Sequence, residues 1–267
     1  MKRWLAIFVL ALAACAGGNS SETAAVSTSP AQLYDPKALP SGPPGEAIAY
    51  GHDIVVNTRK LMPGYVVTNM DCAACHVDAG LRPRAGSLVG AYARFPQWNK
   101  RSHRVITLQD RLAECFLYSM NGRPPAYSSK EMIALVAYIA WISRDTLVGT
   151  PQKPADRFIE PLPSGEPNIA RGALLYAQKC ESCHQINGAG AGAIPPLWGP
   201  TSFNAGAGMA HIDRMTGFVR YNMPQNAPGS LSLQDAYDVS AYVLQNGRPK
   251  FERAKAVSWP SQPASYF

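Results

Sequence analysis

Two pentapeptides carry the most specific chemistry in the chain, "CAACH" at 72–76 and "CESCH" at 180–184. In each, two thiols three residues apart can add to the two vinyl groups of one haem, and the adjacent histidine can ligate its iron. Zinc sites and redox pairs also use CxxC, but neither requires a histidine directly after the second cysteine. One match by chance is uncommon; two in one chain predict two covalently bound c-type haems. Cys72, Cys75, Cys180 and Cys183 are then the thioether attachments, and His76 and His184 the proximal ligands.

Each iron needs a further ligand. In the second half, "RYNMPQ" sets Met223 before a proline in a loop ahead of the last helix, and Met223 is the expected sixth ligand. Met209 and Met215 read as packing, the usual fate of methionine. In the first half, "RLAECFLYSMNGRP" at 111–124 offers both Cys115 and Met120. Met223 follows His184 by 39 positions and Cys115 follows His76 by the same 39, yet Tyr242 follows Met223 by 19 and Tyr138 follows Met120 by 18. Spacing therefore leaves the choice open. Chemistry leans toward Cys115, because an unpaired thiol in an exported protein is a liability unless something holds it. The alternative is an inert cysteine beside a His/Met haem.

The elements that must position these groups repeat. "GEAIAYGHDIVVNTRKLM" precedes the first motif, with Gly51 and Val55 at helical spacing; "NIARGALLYAQKC" precedes the second, with Ile169, Ala173, Tyr176 and a small Gly172 for close packing. Later helices close each half: Ser128-x-x-Glu131 opens "KEMIALVAYIAWISRD", Ser232-x-x-Asp235 opens "QDAYDVSAYVLQNG", and Asn246-Gly247 stops the latter. Tyr138 and Tyr242 fall at equivalent positions. The pattern resembles the class I cytochrome c fold in duplicate, so the expected fold is all-α, two class I cytochrome c-like haem domains joined by a Pro-rich linker.

The chain has 267 residues, enough for two small cores. Met-Lys-Arg, an apolar run too short for a permanent span and "LAAC" predict a lipoprotein export signal with Cys15 lipidated. Export makes disulfides the default, but lipidation of Cys15 leaves five of six cysteines, an odd number that argues against a disulfide framework. The expected layout is signal peptide 1–14, polar tether 15–45, haem domain 46–148, linker 149–166, haem domain 167–250 and tail 251–267. The expected location is the periplasm, held to the membrane by lipid alone.

Between 80 and 111 lie Arg82, Arg84, Arg94, Lys100, Arg101, Arg104 and Arg111 against Asp110, a net +6 of the chain's formal +7. Such a concentration beside a haem suits a small anion. It also suits a solvated face, propionate contacts or a docking patch for an acidic redox partner. His103 is read as a surface histidine; His52 and His211 carry no pattern.

"CAACH", "RAGSLVGAYARFPQW", "LQDRLAECFLYSMNGRP", "CESCHQINGAGAG", "PPLWGP", "FNAGAGMA" and "FVRYNMP" together resemble the bacterial thiosulfate dehydrogenase family of dihaem cytochromes, over residues 47 to 250. The resemblance implies oxidation of two thiosulfate to tetrathionate with a cytochrome acceptor, in either direction, and no nucleic-acid partner. It implies Cys115 as distal ligand of the first haem, Arg101 and Arg111 as substrate arginines, and Ser119 beside them. If 108–119 is helical, Arg111, Cys115 and Ser119 share one face. Family members can carry a lysine beside the second methionine; Asn222 stands there in this chain, so plain His184/Met223 ligation is expected. The rival readings are a non-enzymatic dihaem electron carrier with Met120 on the first haem, and a thiolate-haem oxidase of another sulfur compound.

Overall fold

The computed structural model describes residues 33–152, 158–159 and 161–251. The expected signal peptide, Cys15, much of the tether, part of the linker and nearly all of the tail lie outside the described residues. The chain is mainly helical: α1 (Pro43–Val56), α2 (Thr58–Leu61), α3 (Leu108–Glu114), a π-helical turn (Cys115–Ser119), α4 (Lys130–Trp141), α5 (Ile169–Lys179), α6 (Glu181–His184), α7 (Ile212–Asn222) and α8 (Leu233–Gln245). Two short strands, β1 (Gln97–Asn99) and β2 (Arg104–Ile106), form an antiparallel ribbon with Trp98 opposite Val105, an element the sequence patterning did not indicate. Among the described residues, no helix is long and apolar enough to cross a membrane.

The duplication is visible at the helix crossings. α1 packs on α4 and α5 on α8. A Cβ on Gly51 would lie 2.0 Å from the Ala134 carbonyl oxygen and 2.7 Å from Tyr138 Cβ; on Gly172 it would lie 2.1 Å from the Asp238 carbonyl oxygen and 3.1 Å from Tyr242 Cβ. In both halves the first helix can approach the last only through glycine, and the tyrosine one turn beyond closes the contact. The tyrosine hydroxyls differ. Tyr138 donates to the Ala79 carbonyl at 2.8 Å, beside the first motif, whereas in the second half Tyr176 takes that duty, donating to Gln185 O at 2.6 Å. Ile169, at the first position of α5, is exposed, whereas Tyr176 two turns on is buried.

Helix ends follow side-chain caps. Ser232 accepts from Asp235 N at 3.0 Å, as its spacing predicts. α4 is capped by Ser129, accepting from Met132 N at 3.1 Å, one residue later than the Ser128 expected; Ser129 takes the extended backbone that a cap needs. The Asn246 side chain closes α8 by donating to Tyr242 O at 2.8 Å. Arg171 fastens α5 to α8 through Asp238 (2.6 Å) and Asp235 (2.5 Å).

The two halves share one apolar core, running from Ile54, Leu135 and Tyr138 to Tyr176, Phe203 and Val243. Ordered packing also begins before residue 46: Leu33 is buried, its carbonyl accepts from Arg144 at 2.8 Å, and Tyr34 stacks on His52 with centroids 4.3 Å apart. Leu33 and Tyr34, at the end of the expected tether, are therefore docked on the first domain.

Candidate active site

In the first domain, Cys72, Cys75 and His76 open onto a cavity walled by Val55, Met70, Leu88, Leu112, Phe116, Leu135 and Ile139. Before haem attachment, burial pushes the Cys72 and Cys75 thiols up to about 12. Thr58 braces the motif, its hydroxyl accepting from Cys72 N at 2.9 Å and donating to Ile54 O at 2.7 Å.

Both motif histidines have one nitrogen committed. His76 Nδ1 bonds the Gly86 carbonyl and His184 Nδ1 the Pro195 carbonyl, the latter at 3.0 Å. A carbonyl can only accept, so Nδ1 carries the proton in each ring and Nε2 keeps its lone pair for a metal. Burial lowers the pKa of both imidazoles, favouring the neutral ligating form. Gly86 is required for this: with φ +61°, a Cβ there would sit 3.0 Å from His76 Nδ1. The apolar cavity, the paired thiols and the two oriented imidazoles fit covalently bound haem.

The segment with two candidate sulfurs lines the same cavity. Thr107 and Asp110 form a reciprocal capping box that starts α3, with Asp110 N to Thr107 Oγ1 at 3.1 Å and Thr107 N to Asp110 Oδ2 at 2.9 Å. Thr107-x-x-Asp110 is a legible signal that the patterning above passed over. The helix then widens into the π turn, with Met120 N donating to Cys115 O at 3.0 Å. The single α-helical face expected for Arg111, Cys115 and Ser119 is thus broken at Cys115. The wider turn stacks residues five apart, so Cys115, Ser119 and Met120 all line the cavity.

The surroundings of the two sulfurs differ. Arg111 Nη1 donates to Cys115 Sγ at 3.3 Å, and its neighbours, Cys115 first and Glu114 after it, hold the Arg111 pKa above its usual value. Met120 is buried, and its sulfur faces the Thr68 hydroxyl at 4.0 Å. Arg101 does not touch Cys115. It lies over the Tyr118 ring, 4.0 Å from the centroid, delivered there by the β ribbon, where Asn99 Oδ1 accepts from Arg101 N at 2.8 Å.

The other basic residues of 80–111 disperse. Arg82 pairs with Asp78 (2.8 Å), Arg104 with Asp110 (3.5 Å), and Arg84 lies over Tyr221 (4.3 Å). Arg94 and Lys100 line a separate cleft with Pro151 and Phe158. Their shared charge is a matter of sequence neighbourhood, not of one binding site. His103 is exposed in the ribbon turn.

In the second domain, His184 is buried beside Tyr176, which packs on Trp198 (5.2 Å) and Tyr242 (5.4 Å). Burial raises the Cys180 thiol to about 11, and Cys183 is exposed. Met223 follows α7, half-buried against Val77, Ala85 and Phe218. Asn222 beside it is fully engaged, its amide donating to Arg84 O at 2.8 Å and Phe218 O at 3.0 Å.

Fold and motifs define a dihaem c-type cytochrome. The SoxA/TsdA cytochrome c domain family matches residues 67–148, and the cytochrome c family matches residues 169–247. The chain is 39% identical over 223 residues to the thiosulfate dehydrogenase of Stutzerimonas stutzeri, covering 81% of this chain and 72% of that one. It is 35% identical over 258 residues to the thiosulfate dehydrogenase of Allochromatium vinosum, covering 92% and 93%. The solved thiosulfate dehydrogenase (TsdBA) of Marichromatium purpuratum superposes with a TM-score of 0.78 at 31% identity, covering 87% of this chain and 54% of that one. This chain thus spans just over half of that longer solved chain. The chain belongs to the thiosulfate dehydrogenase family, and its cofactors are two covalently bound haem c groups.

Proposed function

We propose that this protein oxidises two thiosulfate anions to tetrathionate at the first domain and passes two electrons through the second to a cytochrome acceptor. The observation that carries the reading is the Arg111 guanidinium on Cys115 Sγ at 3.3 Å, in the cavity that "CAACH" also lines. A guanidinium bonded to this lone sulfur places positive charge where a dianion would arrive and counters its charge. Cys72, Cys75 and His76 would hold the first haem with Cys115 as its distal ligand; Cys180, Cys183 and His184 would hold the second with Met223. The haems, when bound, supply two one-electron acceptors, matching the two electrons released.

The coupling then balances on this chain's own sulfur. Cys115 thiolate bonds the outer sulfur of one thiosulfate, releasing two electrons and leaving a Cys–S–S–SO3⁻ adduct. The outer sulfur of a second thiosulfate attacks the sulfur next to the sulfonate. The bond to Cys115 breaks, giving tetrathionate and the thiolate again. Arg111 offsets the mutual repulsion of the two dianions, Ser119 offers a hydroxyl donor on the cavity wall, and Arg101 adds positive charge from its seat on Tyr118. Nothing in these steps forbids the reverse reaction. Export to the periplasm and anchoring through lipid on Cys15 complete the proposal, on the strength of the N-terminal pattern.

Thiosulfate-dependent ferricyanide reduction by wild type and Cys115→Gly tests it. Loss of turnover, with loss of the near-infrared thiolate-to-iron band, is expected. Equal rates, or a band that depends on Met120 instead, would favour the electron carrier.

A further inference from the structure

Two of the carbonyl groups that close the Cys115 turn are satisfied from the other domain. The last carbonyls of a helix have no partners within it. Here Cys115 O takes Met120 N, and Phe116 O takes Gly122 N at 2.9 Å. The next two go to one residue 80-odd positions away: Leu117 O accepts from the Asn204 side-chain amide at 2.8 Å, and Tyr118 O from Asn204 N at 3.2 Å. The same amide nitrogen reaches Asn121 Oδ1 at 3.1 Å, while Asn204 Oδ1 accepts from Gly206 N at 2.9 Å. Both ends of the amide are engaged, so its orientation is set, and Asn204 is only 1% exposed. Gly206 permits the approach: a Cβ there would lie 2.9 Å from Tyr118 Cδ1.

We propose that Asn204 is a positioning residue for the first site, acting from the second domain. It stands outside the cavity lining and holds the turn on which the assigned groups ride. Cys115 and Ser119 sit on that turn, and Arg101 is attached to it through Tyr118. A π turn is a minority geometry, kept where outside partners supply its bonds. Asn204 supplies two of them. The proposal rests on the reading of Cys115 as the reactive sulfur.

The test uses holoprotein with both haems counted by haemochrome assay. Asn204→Ala removes the side-chain bonds; Asn121→Gly removes one acceptor while tolerating the left-handed backbone at φ +46°. Asn204→Ala is expected to shift or broaden the thiolate-to-iron band, leave the second haem's methionine band as in wild type, and lower kcat about tenfold with a smaller change in KM. Asn121→Gly should move the same readouts in the same direction, about threefold in kcat. If Asn204→Ala yields no holoprotein, Asn121→Gly decides. An unchanged band and kcat in the variants, with the band absent in Cys115→Gly, overturns the positioning role alone. A thiolate band that survives Cys115→Gly overturns the Cys115 reading, and this proposal with it.

Discussion

Replacing Arg111 with glutamine removes the charge beside Cys115 and leaves a shorter, neutral donor. A hydrogen bond to a charged partner contributes about 1.5–3 kcal/mol, and an exposed ion pair about 0–1 kcal/mol. The Arg111 side chain is 44% exposed, and its bond to Sγ is 3.3 Å long. The pair therefore falls between those classes, at about 1.5 kcal/mol, which at 1.4 kcal/mol per decade is roughly a tenfold loss in kcat/KM. Glu114 lies 3.6 Å from the same guanidinium and already neutralises part of it, which argues against a larger figure. The assay is thiosulfate-dependent ferricyanide reduction across a salt series. Added salt should depress the wild-type kcat/KM more steeply than that of Arg111→Gln, because one attraction for the dianion is gone. A variant within about twofold of wild type at low salt, with both haems present, would refute the role assigned to Arg111.

Three further outcomes follow from the fold. Gly172→Ala should destabilise by about 1–3 kcal/mol, because its Cβ would meet the Asp238 carbonyl at 2.1 Å, whereas Gly247→Ala, with open space around it, should melt as wild type does. Cys180→Ala with Cys183→Ala should leave one haem per chain by haemochrome assay and keep the thiolate band. Burial would raise the Asp110 carboxyl, but hydrogen bonds from Tyr127 and Thr107 and the nearby Arg104 outweigh it and hold the pKa below the usual range. A depressed carboxylate contributes stability above its unfolded pKa of about 3.9 and loses it as pH falls through the folded value. Melting temperature should thus drop below about pH 4 in wild type, and Asp110→Asn should be less stable at neutral pH with a flatter acid limb.

What was legible in the sequence is what depends on neighbours in sequence. The CxxCH motifs, the paired Gly51/Tyr138 and Gly172/Tyr242 crossings and the Ser232 cap each need a few residues at helical spacing, and each stands where that spacing puts it. The features missed are set by distant partners. The π turn at Cys115 draws bonds from Asn204, and the basic segment of 80–111 folds into a ribbon and loops that send its charges to separate acids and rings. The question of which sulfur faces the haem belongs to this second kind. Counting along the chain could not separate Cys115 from Met120, and the wide turn explains why: it brings both to one cavity wall. What divides them is the atom each sulfur meets, a guanidinium for Cys115 and a threonine hydroxyl for Met120. A thiolate can use the first as a counter-ion, and a thioether gains little from it. On the proposed reading, the chemistry of the first domain would depend on Arg111, one turn before Cys115, and on the Asn204 bonds that reach the turn from the second domain.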